Sequence, residues 1–220
     1  MPTLAIIFDV DGTLIDSVDQ HAKAWVQAFE HFGRSVDFAA VRGQIGKGGD
    51  QLMPVFLPAD FIERHGEALE AWRGELFKRE YLPALQAFPA VRALFTRLHA
   101  SGKRLVVASS AKAEELERYV DIAGVADLVD VKISSDDAER SKPAPDIFVT
   151  ALQKAKVEPG EAVVVGDSPF DAQAAVAAGI KPLGVLCGGF ASADLRHAGC
   201  IEIYQDPAHL LRDLATSPLA

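Results

Sequence analysis

The sequence predicts an α/β protein: a doubly wound parallel sheet whose first strand is followed by an all-helical insertion. Three observations predict it. Short, continuous apolar runs, the pattern of strands buried on both faces, occur at Leu4–Phe8, Leu105–Ala108, Ala162–Val165 and Leu183–Leu186. Helical periodicity fills the intervals between the later runs, as a parallel sheet with crossover helices requires. From Ser17 to about Pro83, by contrast, the chain carries helical patterning alone.

The elements follow in order. After the first run, Ser17 and Gln20 have capping-box spacing, and Val18, Ala22, Trp25, Val26 and Phe29 fall on one helix face that ends at Gly33. A glycine-rich stretch, Gly43–Gly49, separates this helix from further helical sequence up to Tyr81. An insertion of this length reads as a cap over the sheet. The expected organisation is a Rossmann-like core of residues 1–16 and 84–220 and a helical cap domain of residues 17–83. Beyond it, Val91, Leu94, Phe95 and Leu98 form a helical stripe between Pro89 and Gly102. Ile147, Phe148, Ala151, Leu152 and Ala155 form another, opened by Pro145.

Composition narrows the function. With 220 residues, 49% of them hydrophobic, the chain can bury one sizeable core together with an insertion. No run of eighteen apolar residues exists, so no membrane span is expected. The N-terminal stretch lacks the basic start of a signal peptide and soon meets Asp9 and Asp11. Cys187 and Cys200 are too few for a disulfide framework, which points to a reducing cytoplasm. A net charge of −9 argues against nucleic acid as the main partner. A small anionic substrate stays compatible, because a metal and one lysine can reverse the field locally.

The chemistry concentrates at strand ends. Asp9 and Asp11 stand two residues apart where the first strand stops, and Gly12 lets the chain turn away. Such a pair suits covalent phosphoryl transfer: one carboxylate attacks phosphorus, and the other protonates the leaving oxygen and then activates water. Like charges ~4 Å apart repel by roughly 4 kcal/mol at an effective dielectric near 20, so a divalent cation is needed. The alternative is an Asp-Gly turn without chemistry.

Three further elements share that end of the sheet. Ser109 and Ser110 follow the second apolar run and can donate to a phosphate oxygen, or merely cap a helix. Lys142, stiffened by Pro143 and Pro145, presents an ammonium able to neutralise a carboxylate and a phosphate together. Asp167 follows the run Ala162–Val165 as a third oxygen ligand for magnesium. Asp171, one helical turn on, can orient a metal-bound water or Lys142, or cap the helix.

In order, DVDGTLIDS, Ser109, SKPAPD and GDSPFD resemble the four signature motifs of the haloacid dehalogenase-like phosphohydrolases, over essentially the whole chain. That resemblance implies Asp9 as nucleophile and Asp11 as general acid/base. It implies Ser109 and Lys142 as holders of the phosphoryl group, and magnesium on Asp9, Asp167 and the backbone carbonyl of Asp11. Asp171 is then a supporting residue. The substrate implied is a small phosphorylated metabolite, since branches of the family that cleave carbon–halogen or carbon–phosphorus bonds lack an aspartate at the position of Asp11. The chain is similar both to phosphoglycolate phosphatases and to β-phosphoglucomutase. His21, Trp25 and SKPAPDIF match the mutase-like sequences, whereas Thr13 leans toward hydrolysis.

The loop Gly43–Asp50 carries Lys47 and is expected either to read the substrate or simply to join helices. It is no P-loop, because Gly48 rather than Ser or Thr follows Lys47. The rival readings are a sugar-phosphate mutase and a catalytically silent binding module of the same fold.

Overall fold

The computed structural model describes residues 3–220; Met1 and Pro2, part of the stretch read for a targeting signal, lie outside them. The chain opens with β1 (Ala5–Phe8), then runs through α1 (Val18–His31), α2 (Phe38–Arg42), α3 (Gly49–Phe56) and α4 (Ala59–Leu76). A π-helical turn at Phe77–Tyr81 extends α4. Then follow α5 (Val91–Ala100), β2 (Arg104–Ala108), α6 (Ala113–Ala123), β3 (Val131–Ile133), α7 (Asp146–Ala155) and β4 (Ala162–Gly166). The chain closes with α8 (Pro169–Ala177), β5 (Lys181–Val185), α9 (Ser192–Ala198), β6 (Glu202–Tyr204) and α10 (Pro207–Arg212). No helix among the described residues is long and apolar enough to cross a membrane.

Among the described residues, six strands form one sheet in the order β3-β2-β1-β4-β5-β6, and every pairing of these strands is parallel. Register explains why the inner strands are apolar throughout. Ile6 and Phe8 lie level with Leu105 and Val107 on one side and with Val163 and Val165 on the other, and these six share one core cluster. Ala5, Ile7, Val106, Ala108 and Val164 face the opposite way, against Ile147, Phe148 and Ala151 of α7. Both faces are covered, so no position on β1 tolerates a polar group.

Two strands went unread in the sequence. β3 and β6 are three residues each, VKI and EIY, and they form the two edges of the sheet. Short, charged edges carry little apolar signal and resist pairing with other chains. β5 also begins earlier than its apolar run, at Lys181 and Pro182.

Between β1 and α5, α1, α3 and α4 enclose an apolar cluster of their own around Trp25, Phe29, Leu52, Met53 and Leu69. Phe77 and Leu76 instead join the cluster on the sheet, which seats this helical layer on the core. One sequence expectation at its entrance fails. Ser17 occupies the N-cap of α1 without making a side-chain cap bond, and the capping box with Gln20 does not form. Its hydroxyl donates to Asp11 Oδ1 at 2.6 Å instead.

Candidate active site

β1 and β4 are neighbours, and the crossovers from β1 and β4 proceed to opposite sides of the sheet, making their carboxyl ends the switch point where α/β sheets bind ligands. Asp9 leaves β1 there, its N–H donating to Val165 O at 2.9 Å. Asp167 leaves β4 beside it. Gly12, at φ +80°, reverses the chain so tightly that a Cβ would fall 2.3 Å from Asp167 Oδ2. A Cβ at Gly188 would fall 1.7 Å from the same oxygen, so backbone from two loops presses on one carboxylate.

Lys142, 1% exposed, binds two acids at once: its Nζ is 2.5 Å from Asp9 Oδ1 and 2.8 Å from Asp171 Oδ1. Asp171 Oδ2 accepts from the N–H and hydroxyl of Ser168, at 3.1 and 2.6 Å. Asp171 therefore caps α8 and pairs with Lys142 together, so the two readings of that residue are not exclusive. Thr13 Oγ1 donates to Asp9 Oδ2 at 3.1 Å.

Asp9, Asp167 and Asp171 each bring a carboxylate oxygen within 4.8 Å of the others'. One ammonium against three buried carboxylates leaves negative charge in excess. Burial and the charge of Asp171 push the Asp9 carboxyl up to about 7, against the opposing pull of Lys142. Burial, Asp171 and Asp9 likewise raise Asp167 well above the usual range. A donor set made only of carboxylate oxygens, repelling one another, fits a hard divalent cation.

Asp11 differs. Burial works to raise its carboxyl, but the His21 imidazole and the Ser17 hydroxyl outweigh it, and the result lies below the usual range. Both partners sit on Oδ1, His21 Nε2 at 2.9 Å and Ser17 Oγ at 2.6 Å, leaving Oδ2 toward Ser109 Oγ at 3.5 Å. Arg73 Nη1 stands 3.4 Å from His21 Nδ1. A guanidinium only donates, so Nδ1 accepts and Nε2 carries the proton given to Asp11. The ring is stacked on Phe77 at 4.0 Å, which fixes its plane. Nε2 also reaches Tyr119 Oη at 3.0 Å, and that phenol donates to Glu115 Oε1.

A cavity of about 60 Å³ lies over the two aspartates, lined from the core by Asp9, Asp11, Ser110 and Glu115 and from the cap by Lys47 and Arg73. The Ser110 hydroxyl is buried there without a partner among the described residues. Ser109, wholly buried, accepts from Ala111 N–H at 3.0 Å and is not part of that lining. Lys142 and Asp167 are not part of that lining either, and Lys142 meets the cavity through Asp9.

The glycine-rich loop is packed against the core, and its Lys47 lines the cavity. A Cβ at Gly46 would meet Ser168 Oγ at 2.7 Å, and one at Gly48 would meet Ser141 Oγ at 2.1 Å. Ser141 N–H donates to Asp50 Oδ2 at 3.2 Å, and Lys47 lies over the Phe170 ring at 4.7 Å while donating to Gln44 Oε1 at 2.6 Å. Arg42 donates to Gly188 O at 3.0 Å and pairs with Asp19 at 2.7 Å.

Sequence reading missed Arg73, Glu115, Tyr119 and Gly188. The first two stand among many helix charges, and nothing local separates them from solvated ones. Thr13 was read only for its contrast with the mutase pattern, although a hydroxyl four residues after Asp9 was a usable signal.

The sequence model of the haloacid dehalogenase-like hydrolases matches residues 6–185. A phosphoglycolate phosphatase of Nitrosospira multiformis is 30% identical over 209 residues, covering 92% of this chain and 92% of its own. A validoxylamine A 7'-phosphate phosphatase of Streptomyces hygroscopicus subsp. limoneus is 31% identical over 183 residues, covering 81% of this chain and 84% of its own. The crystal structure of a hydrolase from Pseudomonas syringae superposes with a TM-score of 0.86 at 26% identity, over 98% of this chain and 99% of the other. The family match runs from β1 to the end of β5 and takes in every aspartate at the switch point. The chain belongs to the haloacid dehalogenase-like hydrolases.

Proposed function

We propose that the protein is a magnesium-dependent phosphatase that hydrolyses a small phosphate monoester, of the phosphoglycolate or sugar-phosphate type, through a phospho-aspartyl intermediate on Asp9. The observation that carries this reading is the buried charge imbalance: Asp9, Asp167 and Asp171 against Lys142 alone. Asp9, Asp167 and the Asp11 backbone carbonyl are the groups to hold the cation, which when bound neutralises this cluster and the incoming phosphate.

The residues divide the work. The Asp9 carboxylate attacks phosphorus while the ester oxygen leaves with a proton from Asp11, and an acyl phosphate stands on Asp9. Asp11 then takes a proton from water, the oxygen attacks phosphorus, and Asp9 is freed as inorganic phosphate departs. Both fixed donors occupy Asp11 Oδ1, so Oδ2 is the oxygen to carry the moving proton. An ionised Asp11 is ready as base for the second half. In the first half, the approach of a phosphate dianion raises its carboxyl and favours the protonated form. Lys142 favours the ionised form of Asp9 and aims it, and Ser110 offers an unused hydroxyl to the phosphoryl oxygens.

A thiol mechanism has no support, since burial and Asp167 push the Cys187 thiol up and it donates to Gly12 O at 3.2 Å. The two unpaired cysteines suit a reducing compartment, and we place the protein in the cytoplasm on that ground.

The test is phosphate release from a panel of phosphorylated metabolites and an aryl phosphate, with and without magnesium. Activity should vanish in chelator and return with magnesium, and Asp9→Asn should fall to background because an amide is a poor nucleophile. Full turnover in excess chelator sinks the mechanism. Isomerised sugar phosphate without free phosphate establishes the mutase instead.

A further inference from the structure

Glu115 is a buried acid that the phosphoryl chemistry leaves unused. It lies in the first turn of α6 with 4% of its surface exposed. It lines both the inner cavity and a cleft of about 540 Å³ that continues outward between cap and core. Oε1 accepts from Tyr119 at 2.5 Å. Among the described residues, no other group hydrogen-bonds the carboxylate and no lysine, arginine or histidine forms an ion pair with it. Its other oxygen has no protein partner among these residues and opens onto the cavity, where it is free to accept from a ligand.

The opposite wall has its own unfinished group. Arg73 lies over the Trp25 ring at 5.1 Å, and its Nε is buried without a partner among the described residues. Around the inner cavity, Lys47 and Arg73 are thus met by Glu70 and Glu115. Interleaved donors and acceptors suit hydroxyl groups, which serve as both. A second carboxylate on the substrate would only accept, pairing with Lys47 or Arg73 but giving Glu70 and Glu115 no donor.

We infer that Glu115 is a specificity-determining residue that accepts hydrogen bonds from the hydroxyls of an uncharged, polyol-like leaving group, with Arg73 donating to a neighbouring oxygen. The preferred substrate is then a sugar- or polyol-type phosphate and not phosphoglycolate. This rests on the phosphatase reading above and selects between the two substrate types it leaves open.

The experiment uses the full chain with magnesium and compares kcat/KM for fructose 1-phosphate, glucose 6-phosphate and glycerol 3-phosphate with that for phosphoglycolate and an aryl phosphate. The aryl phosphate reports the core chemistry by itself, so failure on every substrate refutes the phosphatase reading and this inference with it. The wild type should favour at least one polyol phosphate over phosphoglycolate by about tenfold or more. Glu115→Gln should lower turnover of that substrate by roughly ten- to a hundredfold, the effect of losing a charged hydrogen bond, and far less on the aryl phosphate. The phosphoglycolate ratio should move the other way as the repelling charge disappears. If Glu115→Gln fails to fold, Glu115→Asp, which keeps the charge and shortens its reach, should show the loss on the polyol phosphate without the change on phosphoglycolate. A wild-type preference for phosphoglycolate overturns the inference. So does an equal loss on all substrates, which makes Glu115 a positioning residue acting through Tyr119 on His21.

Discussion

Asp11 shows how much a single residue's role depends on which of its oxygens is already occupied. Ser17 and His21 hold Oδ1, so replacing the carboxylate by an amide keeps that anchor only in part and removes the proton carrier at Oδ2. Asp11→Asn should slow turnover by a factor of ~10² to 10⁴, the usual range for general acid–base help. The loss should be smaller for aryl than for alkyl phosphates, because a phenolate leaves without a proton. Equal losses, with phospho-enzyme formation still limiting, contradict the assignment. Asp167 makes a complementary case through its neighbours. Gly188→Ala drives a methyl to 1.7 Å from Asp167 Oδ2, so the carboxylate must move. That variant should need substantially more magnesium for half-maximal activity while phosphate-ester affinity at saturating metal changes little. An unchanged magnesium titration removes Asp167 from the metal site.

At the scale of elements, the inner strands and the long helices were legible because each repeats one period over several residues. The stripes Val91–Leu98 and Ile147–Ala155 are buried as their spacing requires. What stayed hidden depends on partners distant in sequence. Ser17 has the identity of a cap residue, yet a carboxylate delivered by the β1 loop takes its hydroxyl. The glycines of the loop before α3 read either as a substrate reader or as a connection, and only the facing Ser141 and Ser168 show that they permit close approach. Gly48 provides the test. It lies at φ −76°, where a side chain meets no backbone strain, so alanine there opposes only the packing against Ser141 and Asp50. Gly48→Ala should keep a melting temperature within a few degrees of wild type while kcat/KM falls by about tenfold or more. Unchanged kinetics show that the loop contact does not matter for turnover. Lys47→Ala should add a different signature, a larger loss on the best metabolite than on an aryl phosphate, since Lys47 lines the cavity wall opposite the aspartates.

Over the whole molecule, the order of motifs along the chain indicated which residues meet, because parallel strands deliver their carboxyl ends to one edge. The sequence could not show that the meeting leaves the core with unbalanced charge, and that imbalance has a measurable consequence for stability. Asp9 and Asp167 titrate higher in the folded chain than as free side chains, principally through burial and then through the charge of Asp171. The folded state thus holds protons that the unfolded state has released. The contribution of these two groups to metal-free stability is fully present below the usual carboxylate range and is lost as pH rises toward about 7, the value to which Asp9 is pushed. A divalent cation binds the ionised carboxylates and works against that loss. Magnesium at a hundredfold over its dissociation constant should stabilise by about 2.7 kcal/mol, or roughly 5–10 °C in Tm for a chain of this size. The rise should be larger near pH 7.5 than near pH 5, where protons compete for the same oxygens. Asp167→Asn separates the two effects: with one buried charge removed, its metal-free Tm at pH 7.5 should exceed that of wild type, and its response to magnesium should largely disappear. Thermal melts of both proteins with chelator and with magnesium decide it. A variant that melts lower without metal, or keeps the full magnesium response, shows that repulsion around Asp167 is not what the cation relieves.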